Sequence, residues 1–516
     1  MLHERVSLAS AQRAAATAIV MGAERLSYEE LERTSNQLAR LLVDHGVRPG
    51  DRVLLAQPKA PVAVVSMLAT LKAGGVYVPV DVSSPASRVQ KIVDSAQPRM
   101  ILACAPAAGL VAELKLDAEL GSVAGELASA AFGPAALASF DPDPLPSVSA
   151  PADPAHILFT SGSTGTPKGV LITHAMVGAF LDWALPYFGH RAGDRISGHP
   201  PLHFDLSTFD IYGTLSSGAE LHLPPPATLL PRQLASFIRD SQLTQWFSVP
   251  STFAYMMSAN AIEQGDFPSL RRVIWCGEVL APAVLAHWMT RVPQPTYTNL
   301  YGPTEATIAS SFHTVTEPPA DTTVPIPIGR ACAGEQIHVL DDERRALAPG
   351  ELGELYIEGV GLSPGYWRDE EKTRAAFLAH PATGRRLYRT GDLGRRDEDG
   401  LLHYVGRVDS QIKSRGYRIE LGEIETALSA VDGVAECAVV AVPSNGFEGT
   451  AICCAWSSRA GVAVAAPGLR RVLAQTLPSY MLPARWLQFE ELPKNVSGKV
   501  DRPLLRDRFA ERSRDD

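Results

Sequence analysis

The segment LFTSGSTGTPKGV, residues 158–170, concentrates the residue types that bind phosphate groups. Its glycines let the backbone approach a ligand closely, and its hydroxyl groups and consecutive backbone N–H groups supply many hydrogen-bond donors. Lys168 adds one mobile positive charge. A flexible surface loop is the simpler interpretation of glycine and serine alone, but the lysine and the preceding apolar strand AHILF favour a polyphosphate site. We assign to this site Thr160, Ser161, Gly162, Ser163, Thr164, Gly165 and Lys168.

Three other nucleotide-binding or catalytic loops do not match the sequence. A Walker A loop places glycine before its lysine and serine or threonine after it, whereas Pro167 precedes Lys168 and Gly169 follows it. A hydrolase nucleophile elbow around Ser163 needs glycine where Ser161 stands. The segment GVGLSPG has Pro364 in the place of the third glycine of a dinucleotide-binding fingerprint.

The composition is typical of a globular protein with two or more domains. The chain has 516 residues, of which 46% are hydrophobic, and a formal net charge of -9, which argues against a nucleic-acid-binding surface. Six scattered cysteines form no metal-binding spacing, so we expect a reduced, cytoplasmic protein. The first residues lack the features of a signal peptide, and no apolar run is long enough to predict a membrane span.

The elements that position the loop are predicted to form an α/β fold. Ser27 and Glu30 have capping-box spacing at the start of an amphipathic helix that ends near Gly46. Strand-like runs such as RVLLAQ and RMILACA alternate with helical segments. The region from Ile326 to Tyr366 is rich in glycine, proline and β-forming residues and predicts a small β unit. The region 110–152 is rich in alanine, proline and serine, and we expect an irregular surface segment there.

The last hundred residues predict a compact α+β domain that starts near Asp409. LGEIETALSAVDG and PGLRRVLAQTLPSYMLP are predicted helices, and VAECAVVAVP, TAICCAWSS and RWLQFEEL are predicted strands. The charged tail RDRFAERSRDD is expected to be disordered and to be available for contact with a partner.

The phosphate-binding loop resembles the signature of the adenylate-forming superfamily, which includes acyl-CoA synthetases, luciferases and peptide-synthetase adenylation domains. Further motifs recur in the order of that family: LSYEELE, LKAGGVYVPVD, FDLSTFDIYGTLSSGAEL, NLYGPTEAT, GELYIEGVGLSPGYW, YRTGDLGRRDEDGLLHYVGR, SQIKSRGYRIELGEIE and NVSGKVDR. The resemblance covers nearly the whole chain. It implies a large N-terminal domain of two α/β sheets plus a β-barrel, residues 1–408, and a small mobile C-terminal α+β domain, residues 409–516, with the hinge at Asp409.

The resemblance also implies a two-step reaction that uses ATP and Mg2+. A carboxylate attacks the α-phosphate of ATP to give an acyl-adenylate, and a thiol then displaces AMP. Glu305 would hold Mg2+, a cation that prefers oxygen ligands, and Lys499 would bridge the carboxylate and the α-phosphate. Gly416 would lie where the thiol enters, whereas Ser414 departs from the apolar residue usual there. The remaining implied ATP-binding residues are Gly277, Glu278, Asn299, Tyr301, Gly302, Thr304, Asp392 and Arg407.

Asp205 decides which acid the resemblance implies. It stands where peptide-synthetase adenylation domains place the carboxylate that pairs with the substrate's amino group, and a buried carboxylate needs such a cation; a helix-capping aspartate is the alternative. His203 is expected near the reacting carboxylate, with Thr304 and Lys499 as the other catalytic groups. The implied pocket favours a small to medium, mostly apolar side chain and consists of Asp205, Leu206, Phe209, Ser248, Ile274, Cys276, Leu300, Ile308 and Ala309, with Lys499 at its mouth.

The expected acceptor is the phosphopantetheine thiol of a separate carrier protein, because the chain ends soon after NVSGKVDR and leaves no room for a carrier domain. A small activator protein stays open as a further partner. The alternatives are a D-alanine–carrier ligase, a β-amino-acid-activating enzyme, an acyl-CoA ligase of the same fold, and a non-catalytic binding module. Intact Thr164, Glu305, Asp392, Arg407 and Lys499 argue against the last of these.

Overall fold

A computed structural model describes residues 1–162, 165–226, 228, 230–444, 449–459, 462, 464–495 and 499–515. For residues 513–515 only the backbone is described. Ser163 and Thr164 of the predicted phosphate loop lie outside the described residues. Within the described part of the chain, no helix is long and apolar enough to cross a membrane.

The first sheet carries the predicted phosphate-binding loop at one of its edges. Its described strands, in spatial order, are Glu119–Ala124, Met100–Cys104, Arg52–Ala56, Val76–Pro79, Pro154–Thr160 and Lys168–Thr173. The pairs are parallel except the last, so Pro154–Thr160 and Lys168–Thr173 form a hairpin whose connection is the predicted loop. Helices cover both faces, which is why these strands are nearly continuous apolar runs.

The second sheet is larger and carries most of the predicted amino-acid pocket. Its described strands, in spatial order, are Arg330–Ala331, Ser311–Val315, Thr296–Tyr301, Arg272–Cys276, Gln245–Ser248, Arg195–Ser197, Glu220–His222, Thr17–Met21 and Glu24–Ser27. The central strands are parallel. Their carboxyl ends therefore meet at one edge, which is where ligands bind in open α/β sheets.

The helices of the large domain follow start signals in the sequence. Ser27 caps the helix Tyr28–Asp44, and the predicted capping box with Glu30 is confirmed. Proline stands in the first turn of several others, where its fixed φ suits a helix start. The α-helices are Leu2–Arg13, Tyr28–Asp44, Pro61–Lys72, Ala86–Ala96, Ala108–Glu113, His174–Phe188, Asp205–Thr208, Thr214–Ser216, Pro231–Asp240, Pro250–Ser258, Pro282–Arg291 and Glu370–Ala376, with short 3-10 turns at Ala105–Ala107, Pro134–Ser139 and Thr304–Ala306 and a π-helical turn at Phe209–Gly213.

An antiparallel sheet completes the large domain, and two further sheets form the small one. The first consists of Glu335–Leu340, Gly353–Gly359, Arg386–Arg396, Phe377–Ala379 and Leu402–Arg407. The small domain contains the hairpin Gln411–Ser414 and Tyr417–Glu420 and the sheet Val434–Pro443, Thr450–Ser458 and Arg485–Phe489. Its helices are Leu421–Ser429, Ala466–Leu473 and Arg502–Asp515, with a 3-10 turn at Ser479–Met481. The predicted mixed α/β fold, with a large N-terminal and a small C-terminal domain, is confirmed.

Two sequence-based expectations are wrong. The region 110–152 contains a regular strand, Glu119–Ala124, which pairs in parallel with Met100–Cys104 and buries Leu120 and Val123. The tail is helical through Asp515 because Leu505 and Phe509, four residues apart, pack on the sheet of the small domain. In both cases tertiary packing overrides a local sequence that has little preference of its own.

Candidate functional site

A cavity of about 110 Å3 lies between the carboxyl ends of the large-domain strands and the hairpin 411–420 of the small domain. Large-domain residues that line it include nine of the predicted site residues: Thr160, Ser161, His203, Asp205, Thr304, Gly277, Gly302, Asp392 and Arg407. Three predicted amino-acid-pocket residues also line it, namely Leu206, Cys276 and Ile308. The small domain contributes Gln411, Lys413, Gly416, Tyr417, Arg418 and Tyr480.

Asp205 presents its carboxylate to this cavity at the first turn of the helix Asp205–Thr208. Burial raises its pKa to about 6, while a hydrogen bond with Thr304 and the charge of Lys413 act in the opposite direction. The capping alternative does not hold, because the N-cap of this helix is Phe204. Asp205 is thus a recessed acid with incomplete charge compensation.

His203 is a second group with free hydrogen-bonding capacity on the cavity wall. Its Nε2 atom is buried and has no hydrogen-bond partner within the described part of the chain. Burial lowers the pKa of the imidazole, so the ring is neutral near pH 7. A neutral imidazole offers one donor and one acceptor, and one of these is available to a ligand in the cavity.

Glu305 is fully buried at the centre of a charged cluster. Arg418 Nη1 lies 2.8 Å from its Oε2 and 2.9 Å from its Oε1, and Lys168 Nζ lies 3.3 Å from Oε1. The hydroxyl group of Tyr366 also donates to Oε1 at 2.7 Å. Burial alone would raise the pKa of Glu305, but the cations of Arg418 and Lys168 outweigh it and hold that pKa well below its usual range.

The predicted ribose-binding acid Asp392 lies between a tyrosine and an arginine. Tyr301 donates from its hydroxyl group to Oδ2 at 2.7 Å, and Arg407 forms an ion pair with Oδ1. Arg407 also contacts the predicted hinge residue Asp409 through two hydrogen bonds of 2.8 Å. Asn299, within the strand Thr296–Tyr301, donates its side-chain amide to the carbonyl of Pro327 at 2.8 Å, which fixes its orientation.

The predicted phosphate-binding loop contacts the small domain through Ser161 and the large domain through Gly165. Ser161 donates to the carbonyl of Arg418 at 2.6 Å, whereas the buried hydroxyl of Thr160 has no hydrogen-bond partner among the residues that the structure describes. Gly165 has a positive φ of 75° and accepts a hydrogen bond from Lys91 at 2.7 Å. Burial, helped by the neighbouring charge of Arg418, lowers the pKa of Lys168 to about 8, while the carboxylate of Glu305 acts in the opposite direction.

The residues predicted to surround the substrate side chain share one apolar cluster. Leu206, Phe209, Ile274, Cys276, Leu300, Ile308 and Ala309 are all buried members of it. Ser248 is also buried, and its hydroxyl group is 3.0 Å from Nδ1 of His199. Ala309 lines a second, smaller cavity next to the first.

The hairpin 411–420 places small-domain residues in the site that the sequence analysis missed. Arg415 and Gly416 both have positive φ, 54° and 78°, and make a two-residue turn. Lys413 therefore stands opposite Arg418 in the ladder. The dipeptide Arg-Gly between two strand-like segments was the available signal, since such a turn puts the flanking residues on one face.

Gly416 enters the site and Lys499 does not. The amide of Gly416 donates to Glu278 Oε1 at 2.7 Å, and a β-carbon at this position would lie 2.7 Å from Val249 Cγ1. Lys499 is exposed, does not line the cavity, and donates its backbone N–H to Asn495. The structure therefore brings the predicted thiol-entry residue to the site and leaves the predicted bridging lysine outside it.

A buried ion pair fixes this arrangement of the two domains. Arg88 Nη1 of the large domain lies 2.6 Å from Glu423 Oε1 of the small domain, and both side chains are almost fully buried. Ser87 donates to the carbonyl of Gln475 at 2.8 Å beside it. Tyr417 stacks on Tyr480 with ring centroids 3.6 Å apart. Removal of one partner of such a pair would strongly destabilise this arrangement, because it would leave the other charge buried without compensation.

Comparisons with known proteins give the class of this fold and site. Residues 6–367 match the family model of the AMP-binding enzymes, and residues 423–499 match that of the AMP-binding enzyme C-terminal domain. The adenylation domain AlmE of Vibrio cholerae, solved with glycyl-adenosine-5'-phosphate, has a similar structure, with a TM-score of 0.87 at 26% identity over 99% of this chain and 98% of that one. The fold is that of the adenylate-forming enzymes.

The chain belongs to the AMP-binding enzyme family. It is similar to an L-proline--[L-prolyl-carrier protein] ligase of Pseudomonas fluorescens, with 35% identity over 98% of both chains. It is also 35% identical to tyrocidine synthase 2 of Brevibacillus parabrevis over 95% of this chain, which spans only 13% of that relative. The surfactin synthase subunit 2 of Bacillus subtilis is likewise spanned over 13% of its length.

Proposed function

We propose that the protein activates a small to medium, mostly apolar amino acid with ATP and transfers it to the phosphopantetheine thiol of a separate carrier protein. The position of Asp205 carries this proposal: its carboxylate faces the cavity that also contains Thr304 and the phosphate-binding loop. The similarity to a carrier-protein ligase over the full chain supports it.

The amino group of the substrate would pair with Asp205. The pKa of about 6 shows that the recessed acid is not fully compensated, and an ammonium group would supply the missing charge. Lys413 is a cation nearby, but it belongs to the small domain. Lys413 acts on Asp205 only through its charge, so the substrate's ammonium group would be the direct partner of Asp205 in both half-reactions.

In the first half-reaction a substrate carboxylate oxygen attacks the α-phosphorus of ATP, and the bond to the β-phosphate breaks to release pyrophosphate. His203 and Thr304 would orient the carboxylate and the α-phosphate, because both line the cavity beside Asp205. Lys499 would stabilise the charge that builds up between the two anions. Since Lys499 lies outside the site in this structure, the small domain must rotate to bring it in.

Glu305 would hold the Mg2+ ion that the family chemistry implies. A carboxylate oxygen is a ligand that Mg2+ prefers, with phosphate and water oxygens completing its octahedral shell. In the present arrangement Arg418 and Lys168 already compensate the charge of Glu305. Glu305 fits the metal once Arg418 withdraws with the hairpin of the small domain. When bound, the ion would neutralise charge on the phosphates.

The present arrangement suits the second half-reaction. Here the thiol sulfur attacks the acyl carbon, the thioester bond forms, and AMP leaves with the electron pair of the broken acyl–oxygen bond. The absence of a side chain at Gly416 keeps the space between Val249 and Phe204 open to a narrow group. This agrees with the exclusion of Lys499 from the cavity.

Amino-acid-dependent exchange between pyrophosphate and ATP tests the proposal. Wild-type enzyme is assayed with alanine, proline, valine, 2-aminobutyrate and β-alanine, and with the matching acids that lack the amine. The Asp205→Asn variant should lose about two powers of ten in kcat/KM, as expected when a buried charge loses its partner. The Asp182→Asn variant is the control, because Asp182 is exposed and pairs only with Arg5 in the described residues. Exchange supported only by acids without an amine would overturn the proposal.

A further inference from the structure

A second cavity lies behind the predicted amino-acid pocket. It has a volume of about 10 Å3, which is about the room of one water molecule. Its lining includes Phe180, Trp183, Ala309, Cys332 and Glu335. Ile308 lines the active cavity and Ala309 lines this second one. The turn 307–309 is therefore the partition between the two cavities.

The partition has a strained backbone. Thr307 and Ile308 have φ values of +56° and +69°, which place two consecutive β-branched residues in the left-handed region. Such residues avoid this region, so the surrounding contacts must hold them there. The amide of Ala309 donates to the carbonyl of Thr307 at 2.8 Å, which is part of the same tight turn.

A relay of two hydrogen bonds connects Glu335 to this turn. Thr307 donates from its hydroxyl group to the carbonyl of Gly361 at 2.8 Å. The amide of Gly361 donates to Oε1 of Glu335 at 2.7 Å. A β-carbon at Gly361 would lie 2.8 Å from the carbonyl oxygen of Ala306 and 2.9 Å from Glu335 Oε1, so this close approach requires glycine.

Glu335 has no other described partner that explains its burial. Its Oε2 atom is buried without a hydrogen bond, and no ion pair joins it to any residue in the described ranges. Burial raises the pKa of this carboxyl to about 7, and only the amide of Gly361 acts in the opposite direction. A carboxyl group with a buried, unpaired oxygen is unfavourable, which indicates that its hydrogen bond to Gly361 has a specific role.

We propose that Glu335 is a positioning residue that sets substrate specificity: through Gly361 and Thr307 it holds the partition, and so limits the length of the amino-acid side chain that the enzyme accepts. This rests on the proposed function, because it takes the residues beside Ile308 as the end of the amino-acid pocket. Without the relay, Ala309 can move into the small cavity and the pocket becomes longer.

The relay controls only one end of the segment 304–309. The other end is held separately, because Ser363 donates its amide to the carbonyl of Glu305, and the Glu305 side chain is fixed by Arg418, Lys168 and Tyr366. Loss of the relay should therefore change amino-acid recognition and leave ATP recognition intact. A general structural defect would change both.

The test compares Glu335→Ala, Thr307→Val and Glu335→Gln in the full chain by pyrophosphate exchange with alanine, valine, leucine and phenylalanine. In Glu335→Ala and Thr307→Val, KM for the best wild-type substrate should rise about tenfold, the effect of losing one hydrogen bond. For the amino acid with the next longer side chain, kcat/KM should rise relative to that of the best wild-type substrate. KM for ATP and kcat should change by less than about threefold. Glu335→Gln keeps an acceptor for Gly361 and should restore the wild-type ranking.

Glu358→Gln is the matched control. This glutamate lies next to Gly359 on the neighbouring strand and contacts Arg385 at 2.6 Å and His338 at 3.3 Å, away from the partition. It should keep the wild-type ranking. An unchanged ranking in both Glu335→Ala and Thr307→Val, or a parallel rise in KM for ATP, would overturn the proposal.

Hydrogen–deuterium exchange in the free enzyme separates this inference from the proposed function. The amides of residues 302–310 should exchange faster in Glu335→Ala and Thr307→Val, and at the wild-type rate in Glu335→Gln and Glu358→Gln. Wild-type enzyme that shows no amino-acid-dependent exchange of pyrophosphate with ATP would refute the proposed function alone. Equal deuterium uptake in all variants would refute the partition.

Discussion

Replacing Arg418 should separate the two half-reactions. Arg418 makes two hydrogen bonds to Glu305, whose side chain is fully buried, and its own side chain is 17% exposed. Removing one partner of such a pair costs about 3–5 kcal/mol. Because Lys168 remains 3.3 Å from Glu305, we expect the lower end of that range, about 3 kcal/mol. This energy favours the arrangement in which the hairpin 411–420 lines the cavity.

The population of this arrangement should therefore fall about 150-fold in Arg418→Met, the factor that corresponds to about 3 kcal/mol. Transfer of the aminoacyl group to free pantetheine should slow by about two powers of ten. Pyrophosphate exchange should change by less than about threefold, because the hairpin has left the site in that step. Both rates are measured on the same preparation, with radiolabelled amino acid for transfer.

The exposed Arg471 on the helix Ala466–Leu473 of the same domain provides the control variant, Arg471→Met. It should keep both rates. If exchange and transfer fall together in Arg418→Met, the pair with Glu305 supports the whole fold and does not select one arrangement. If neither rate falls, the ion pair contributes little to the domain equilibrium, and the reasoning is refuted.

Two further predictions concern the first half-reaction. Burial raises the pKa of Asp205 to about 6, so protonation below that pH should remove the charged partner of the substrate's amine. KM for the amino acid should then rise about tenfold for each pH unit below 6. A KM that stays constant between pH 5 and 7 would contradict the pairing. Lys499→Ala should reduce adenylate formation by several powers of ten while equilibrium dialysis still shows ATP binding, and an unchanged exchange rate would show that the bridging cation lies elsewhere.

The ordered motifs were enough to predict the fold class and many of the large-domain residues of the cavity, but not Arg88, Phe204 or Thr390. Thr304 follows the carboxyl end of the strand Thr296–Tyr301, where ligands bind in open α/β sheets, whereas Asp205 and Asp392 were placed in the site by the resemblance of their motifs alone. The hairpin turn at Arg415 and Gly416 was also visible in the sequence. What the motifs did not show is which arrangement of the domains the chain adopts, because that depends on contacts such as the pair between Arg88 and Glu423.

Glu335 could not have been found by sequence reasoning. Its role depends on Gly361 and on the strained segment 307–309, which are separated from it along the chain and meet it only in three dimensions. Within its own strand, Glu335–Leu340, it is an ordinary polar residue at the first position. The strand Glu119–Ala124 was missed for a related reason, since its stability comes from the neighbouring strand and not from its own residues.

A crystal structure with the best amino-acid substrate and a non-hydrolysable ATP analogue would test the central claim most directly. We predict that the substrate's nitrogen lies within hydrogen-bonding distance of the Asp205 carboxylate, with its own carboxylate directed to the α-phosphate. A bound acid whose nitrogen lies away from Asp205 would contradict the assignment of the protein as an amino-acid-activating enzyme.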